Sequence, residues 1–209
     1  MDARYLTVGV AAENTWIVRR EDSQSALLID PGDEPERLRD AIGSLTIEAI
    51  LITHCHFDHI GAVAPMARAT GAPVYCPKVE VPLLEDIMRF VPWPGIGPFE
   101  SWHADHTLEG GEQLQLAGFD IDVLSTPGHS PGHVTYSIPD EQAVLSGDVL
   151  FEGSVGRVDL PGGDGPTLLE SIRRLLAEFP DETVVYPGHM GTTTLGAERA
   201  TNPFLHSLA

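Results

Sequence analysis

Three histidines and an aspartate fall within six residues in the stretch Thr53-His54-Cys55-His56-Phe57-Asp58-His59. The run follows Glu48 to Thr53, which has the composition of a buried apolar strand. In extended backbone, side chains alternate, so His54 and His56 point the same way and can share one ion, while Cys55 faces the core. A helix starting at Asp58 would re-aim Asp58 and His59 at a neighbouring point. Neutral imidazole and carboxylate are the donors that borderline divalent metals such as zinc take.

His129, Asp148 and His189 share another setting. Each follows an apolar run and sits in a glycine-bearing turn: Thr126-Pro127-Gly128-His129-Ser130, Ser146-Gly147-Asp148 and Pro187-Gly188-His189. Small turn residues allow close backbone approach and project the next side chain into a pocket. A single Pro-Gly-His would read as a surface turn. Two of them, the first cluster and Asp148 make five histidines and two aspartates, enough for two ions with one carboxylate between them.

Other chemistry-bearing residues carry less. Cys76, at a strand end, reads as a small buried hydrophobe. His133, four residues after His129, is open between packing and contact with a ligand. His103 and His106, flanking Asp105, read as surface histidines, with an entrance or a further ion as the alternative. Arg157 is open between pairing a substrate carboxylate and an ordinary surface position. Phe90, Trp93, Phe99 and Trp102 are open between a pocket wall and loop packing. His206 has no partner that the sequence names.

The elements that must position these groups are short. Leu6 to Val10, Thr15 to Arg19 and Ala26 to Asp30 are β-rich runs, the third closed by Pro31-Gly32. Glu34 to Ile42 has helical amphipathicity, Asp58 to Thr70 reads as one helix capped by Gly71, and Pro73 to Cys76 is a strand. From Pro82 to His106 no period survives, which predicts an irregular segment covering one face. Gln113 to Leu116 and Asp120 to Ser125 flank a hairpin signal at Ala117-Gly118-Phe119. Val134 to Ile138 and Ala143 to Ser146 form a second pair around Pro139-Asp140. Thr167 to Phe179 is a helix with Thr167 and Glu170 spaced as a capping box, and Thr183 to Tyr186 is a last strand. The run ending at Asp30 echoes the run ending at Asp148, and the approach to His54 echoes that to His189. Two similar halves, each a sheet with helices outside, would produce that echo.

Composition narrows the function. Of 209 residues, 42% are hydrophobic, which suffices for a core without staples. Against 12 basic residues stand 31 acidic ones, a formal net charge of -19, so nucleic acid and anionic membrane are not expected partners. Two cysteines, Cys55 and Cys76, make no disulfide framework. The start is polar and no apolar run approaches the roughly 18 residues of a membrane span, so the expectation is a cytoplasmic protein. Oligomeric state stays open.

His54, His56, Asp58 and His59, followed by His129, Asp148 and His189, resemble the ligand pattern of the metallo-β-lactamase-fold hydrolases. Spacing and size are similar to the glyoxalase II-like (hydroxyacylglutathione hydrolase-like) branch. Gly156-Arg157-Val158-Asp159-Leu160-Pro161-Gly162-Gly163-Asp164 and Asn202-Pro203-Phe204 resemble segments of its short bacterial members. The resemblance implies an α/β fold, a four-layer αββα sandwich, spanning residues 1–209 as a single domain. The chain ends twenty residues after His189, so the helical glutathione-binding domain of the longer enzymes is expected to be missing. It also implies two divalent metal ions, zinc first, with iron or manganese as alternatives. His54, His56 and His129 would hold one ion, Asp58, His59 and His189 the other, and Asp148 would bridge them. Asp30 matches a family position near the site and is open between supporting a ligand and capping a turn.

The activity so implied is hydrolysis of a small-molecule thioester such as a 2-hydroxyacyl-thiol. Two ions roughly 3.5–4 Å apart would activate a water, with Asp58 orienting it besides ligating. A persulfide dioxygenase-like enzyme with one iron needs only the equivalents of His54, His129 and Asp148. Lactone or β-lactam hydrolysis is a further alternative, and a metal or redox scaffold is the non-enzymatic one.

Overall fold

Alternating apolar runs that end in glycine, proline or aspartate cannot make long elements, and the chain folds into fourteen short strands and seven α-helices among the described residues. The computed structural model describes residues 1–91 and 93–208, with side chains to Leu205, so His206 lies outside the described side chains. Residues cluster into two units, 1–108 with 115–119, and 109–114 with 120–209.

The first unit holds β1 (Asp2–Val8), β2 (Glu13–Arg19), β3 (Ser25–Ile29), α1 (Pro35–Ile42), β4 (Thr46–Leu51), α2 (Phe57–Ile60), α3 (Val63–Thr70), β5 (Val74–Pro77), α4 (Val81–Glu85), α5 (Ile87–Phe90) and β6 (His106–Leu108). Its six strands pair in chain order, antiparallel from β1 to β3 and parallel from β3 to β6. An apolar core of Leu28, Ile50, Ile52, Ile60, Met66 and Val74 lies within it, fully buried. Three expectations change here. The strand expected from Leu6 begins at Asp2, because pairing of Asp2 with Arg19 and an ion pair between them carry a polar segment into the sheet. The single helix from Asp58 to Thr70 is two, broken at Gly61-Ala62. Gly61 packs so closely on the carbonyl of Gly32 that a Cβ would collide, and this contact bends the chain. The irregular segment after Pro82 contains α4 and α5, each little more than one turn, too short to leave a periodic signal.

The second sheet comprises β7 (Gln113–Leu116), β8 (Phe119–Ser125), β9 (Val134–Ile138), β10 (Ala143–Gly147), β13 (Val184–Pro187) and β14 (Thr193–Thr194), in the order β14-β13-β10-β9-β8-β7. Between β10 and β13 come the small ribbon β11 (Leu150–Phe151) and β12 (Ser154–Val155), then α6 (Gly165–Glu178); α7 (Leu195–Thr201) follows β14. Val144, Leu168, Ile172, Leu175 and Val185 form the second unit's core. The echo between halves is topological. In the first unit β2 is antiparallel to β3, and β3 is parallel to β4. In the second, β9 is antiparallel to β10, and β10 is parallel to β13. Asp30 and Asp148 therefore follow equivalent strands, as do His54 and His189. No helix among the described residues is long and apolar enough to cross a membrane.

Helix α6 corrects the expected capping box. Its N-cap is Asp164, whose Oδ1 accepts from the Thr167 backbone N–H at 2.8 Å; hydrogen bonding from the Thr167 side chain first, and from its backbone second, holds the Asp164 carboxyl below the usual range. Pro166 in the first turn needs no hydrogen bond there, so the helix begins at Gly165, two residues earlier than Thr167. Asp164→Ala should lower stability by about 1 kcal/mol, and Thr167→Ala by clearly less, in denaturant unfolding. Equal losses would restore Thr167 as the cap.

Candidate metal centre

Each unit carries one cluster of the expected ligands. In the first, β4 ends at Leu51 and the backbone runs irregularly to α2, with His56 extended at the helix N-cap (φ −68, ψ 148). Alternation survives this early strand end. The His54 and His56 rings meet edge-on at 4.8 Å, and the His54 and His59 rings lie 4.1 Å apart. The turn into α2 brings Asp58 Oδ2 to 3.9 Å from His59 Nε2. All four expected ligands of this unit thus share one spot.

Asp30 organises them from behind. It is buried, and its Oδ1 accepts the Thr53 backbone N–H at 2.7 Å. Its Oδ2 accepts the Thr53 hydroxyl at 2.6 Å and lies 3.1 Å from His59 Nδ1. A carboxylate oxygen accepts, so His59 carries its proton on Nδ1 and keeps its lone pair on Nε2. Thr53 Oγ1, its proton given to Asp30, accepts from His54 Nδ1 at 3.0 Å, which leaves the His54 lone pair on Nε2 as well. One carboxylate therefore sets two tautomers, and the support reading of Asp30 holds over the turn cap. Donor atoms of Asp30, His54 and His59 all lie within 4.8 Å of one another.

The second unit repeats the device with a backbone acceptor. His129 Nδ1 donates to the carbonyl of Arg157 at 2.7 Å, again leaving Nε2 as the acceptor, and that atom sits 3.4 Å from Asp148 Oδ2. Gly156 makes the approach feasible: a Cβ there would strike the Asp148 carbonyl and crowd His129 Nδ1. His189 Nε2 lies 3.5 Å from the same Asp148 oxygen. Asp148 is oriented by its own backbone N–H, which donates to His133 Nε2 at 3.0 Å, while His133 Nδ1 donates to Thr126 Oγ1 at 3.1 Å. Both nitrogens of His133 are thereby engaged, and it positions Asp148 without ligating.

These donors fit divalent cations. A lone pair on His129 Nε2 facing a carboxylate oxygen is repulsive unless a cation stands between them. Tetrahedral bonds of about 2.1 Å place neighbouring ligand atoms roughly 3.4 Å apart. The separations of 3.4 and 3.5 Å about Asp148 match that spacing.

The remaining candidates separate from the clusters. Cys55 is buried with its Sγ 3.5 Å from that of Cys76, and burial pushes the Cys55 thiol well up, so neither is a ligand or nucleophile here. His103 is exposed and bonds Glu85 Oε1 at 2.8 Å; His106 is exposed and stacks on Tyr75 at 4.4 Å. Arg157 grips Asp159 through Nε and Nη2 at 2.7 and 2.8 Å, which holds the Asp159 carboxyl down at about 2. Its guanidinium is thus spoken for, and its carbonyl is what touches the site. Phe99 and Trp102 pack on the core, whereas Phe90 and Trp93 are 45% and 44% exposed.

Two contributors had no clear signal in the sequence. Thr53 stands in the quoted stretch, but nothing marks a threonine as a relay. Glu13 lies at the head of β2, ahead of the expected strand, fully buried, with Oε1 3.9 Å from His59 Nδ1. Burial raises its carboxyl well above the usual range, opposed by the nearby His59 and reinforced by Asp30.

The family model of the metallo-β-lactamase superfamily matches residues 8–189. Hydroxyacylglutathione hydrolase GloC of Haemophilus influenzae is 36% identical over 90% of each chain. The solved BLEG-1 B3 metallo-β-lactamase is 38% identical with TM-score 0.92, covering 98% of this chain and 100% of that one. TTHA1623, solved in a di-iron-bound form, is 45% identical with TM-score 0.85, covering 97% and 100%. The chain belongs to the metallo-β-lactamase superfamily and has its fold, as the seven-residue pattern led one to expect. Within it, the chain is a metallo-hydrolase, and the His/Asp clusters suggest divalent metal.

Glu13 has a consequence for pH. A folded-state carboxyl raised above its ordinary 4.5 contributes stability that is complete below that value and is lost as pH rises through the folded one. In metal-free protein, Glu13→Gln should therefore gain on the natural chain as pH goes from 5 to 8, measured by denaturant midpoints. A constant difference across that range would show that Glu13 titrates normally.

Proposed function

We propose that the protein hydrolyses a small thioester of the 2-hydroxyacyl-thiol kind with two divalent metal ions, zinc first. In the superfamily's pattern, His54, His56 and His129 hold one ion, and Asp58, His59 and His189 the other, with Asp148 shared. The observation that carries this is the Asp148 carboxylate. One of its oxygens stands 3.4 Å from a histidine of the first proposed set and 3.5 Å from a histidine of the second. That is where a carboxylate shared by the two sets would stand.

Two such ions, when bound, supply Lewis acidity toward a carbonyl and acidify a water. The chain's own residues do the rest. Asp30, Thr53 and the Arg157 carbonyl fix which imidazole nitrogen is offered, so little reorganisation accompanies binding. Asp58, in the first turn of α2 with its side chain 16% exposed, can accept a proton from water and aim it. A departing thiolate is stable without a strong acid, and no separate acid/base pair was needed to build this site. The identity to GloC over most of its length supports the thioester, and the di-iron relative is a reason to test iron beside zinc.

Metal-loaded protein should release thiol from S-lactoylglutathione or a related thioester, and a strong chelator should stop it. Asp148→Ala should lower kcat/KM by at least about a hundredfold, with metal content falling too, since one side chain serves both ions. Asp30→Asn should weaken metal affinity about 10–100-fold in chelator competition while the fold remains. Thiol release unaffected by the chelator would remove the metal from the reaction. A β-lactam reading is favoured by the 38% identity to BLEG-1, and nitrocefin opening faster than thioester cleavage would put it first.

A further inference from the structure

We infer that the thiol half of the substrate carries no net negative charge and rests on an aromatic shelf formed by Phe57 and Trp93. This rests on the thioesterase reading and specifies its substrate. The shelf starts inside the ligand turn. Phe57 stands between His56 and Asp58, its ring 5.8 Å edge-on from Trp93 and stacked 6.0 Å from Phe99. Phe57 and Phe99 both pack back onto the core, whereas Trp93 leaves 44% of its surface open and Met88, whose sulfur accepts the Phe99 backbone N–H at 3.3 Å, leaves 42%. Large side chains this exposed, grouped beside a reaction site, mark a surface meant to be covered.

Charge decides what covers it. Residues 82–106, the segment that carries Trp93, hold four acids, Glu85, Asp86, Glu100 and Asp105, and one arginine, Arg89, which lies over the Phe90 ring at 5.7 Å. Arg68 is held by Glu100 through both Nη atoms. Among the described residues, Arg19, Arg37, Arg39, Arg68, Arg157, Arg173, Arg174 and Arg199 are ion-paired with the chain's own acids. Arg157, whose carbonyl meets His129, is gripped by Asp159. A thiol bearing carboxylates would find acid and aromatic faces and few available cations. A neutral carrier gains from the rings, and an ammonium-bearing one gains from both rings and acids.

The test holds the acyl group constant and varies the thiol: S-lactoylglutathione, S-lactoyl-N-acetylcysteamine and S-lactoyl-2-(dimethylamino)ethanethiol, with metal-loaded protein at low ionic strength. The neutral and cationic thioesters should exceed the glutathione conjugate in kcat/KM by about tenfold, and the cationic advantage should shrink with salt. Trp93→Ala should raise KM for them several-fold with the loss concentrated in KM, and Trp93→Phe should recover most of it. Asp86→Lys should improve the glutathione conjugate. If S-lactoylglutathione matches or beats the others, or Trp93→Ala leaves every KM unchanged, the inference is overturned. Turnover of none of the three would instead bring down the thioesterase reading beneath it.

Discussion

Lone-pair direction is the constraint on which the site depends. A histidine is a useful ligand only if one ring nitrogen is protonated elsewhere and the other is aimed, and imidazole does not choose by itself. Here the choice is made by buried acceptors on the far side of each ring: Asp30 for His59, Thr53 backed by Asp30 for His54, and the Arg157 carbonyl for His129. The same logic runs in reverse at His133, where a backbone N–H donates to Nε2 and removes it from competition. Candidate ligand and support carry the ring proton on the same nitrogen and differ in what meets Nε2, which at His133 is a backbone N–H.

The fold exists to keep those acceptors in place. Asp30 and Asp148 follow equivalent strands in the two sheets, each flanked by a parallel neighbour that leads to a histidine. Strand ends beside a parallel crossover are where α/β proteins put their chemistry, because loops there are free of ladder hydrogen bonds. Close packing enforces the positions. The Gly156 loop meets the Asp148 carbonyl directly, so the Arg157 carbonyl arrives at His129 only because no side chain intervenes.

The candidate ligands were legible in the sequence because metal-binding residue types cluster where packing has no use for them, as at His54 to His59. Strands were legible where period or apolar run was clean, as at Val134–Ile138, which is reproduced residue for residue. What stayed hidden was set by distant partners. The start of β1 depends on Arg19, the break after α2 on the carbonyl of Gly32, and neither leaves a local mark. Asp164 lay in plain view as a helix cap, yet Thr167 offered a more familiar spacing. Glu13 was illegible for a stronger reason: an acid beside an apolar strand reads as its exposed end, and only tertiary packing buries it behind His59. The open alternatives at Asp30, His133 and Arg157 were matters of hydrogen-bond direction, which residue type cannot convey.

The most direct test follows the imidazole nitrogens themselves. Long-range 15N–1H spectra of the histidines, recorded on metal-free protein and during zinc addition, report tautomer and ligation together. His54, His59 and His129 should be Nδ1-protonated before metal is added, with their Nε2 signals shifting as zinc binds, while His133 keeps its spectrum. Nε2-protonated rings at those three positions, or a zinc response at His133 with none at His129, would contradict the claim that buried acceptors aim this site at a cation.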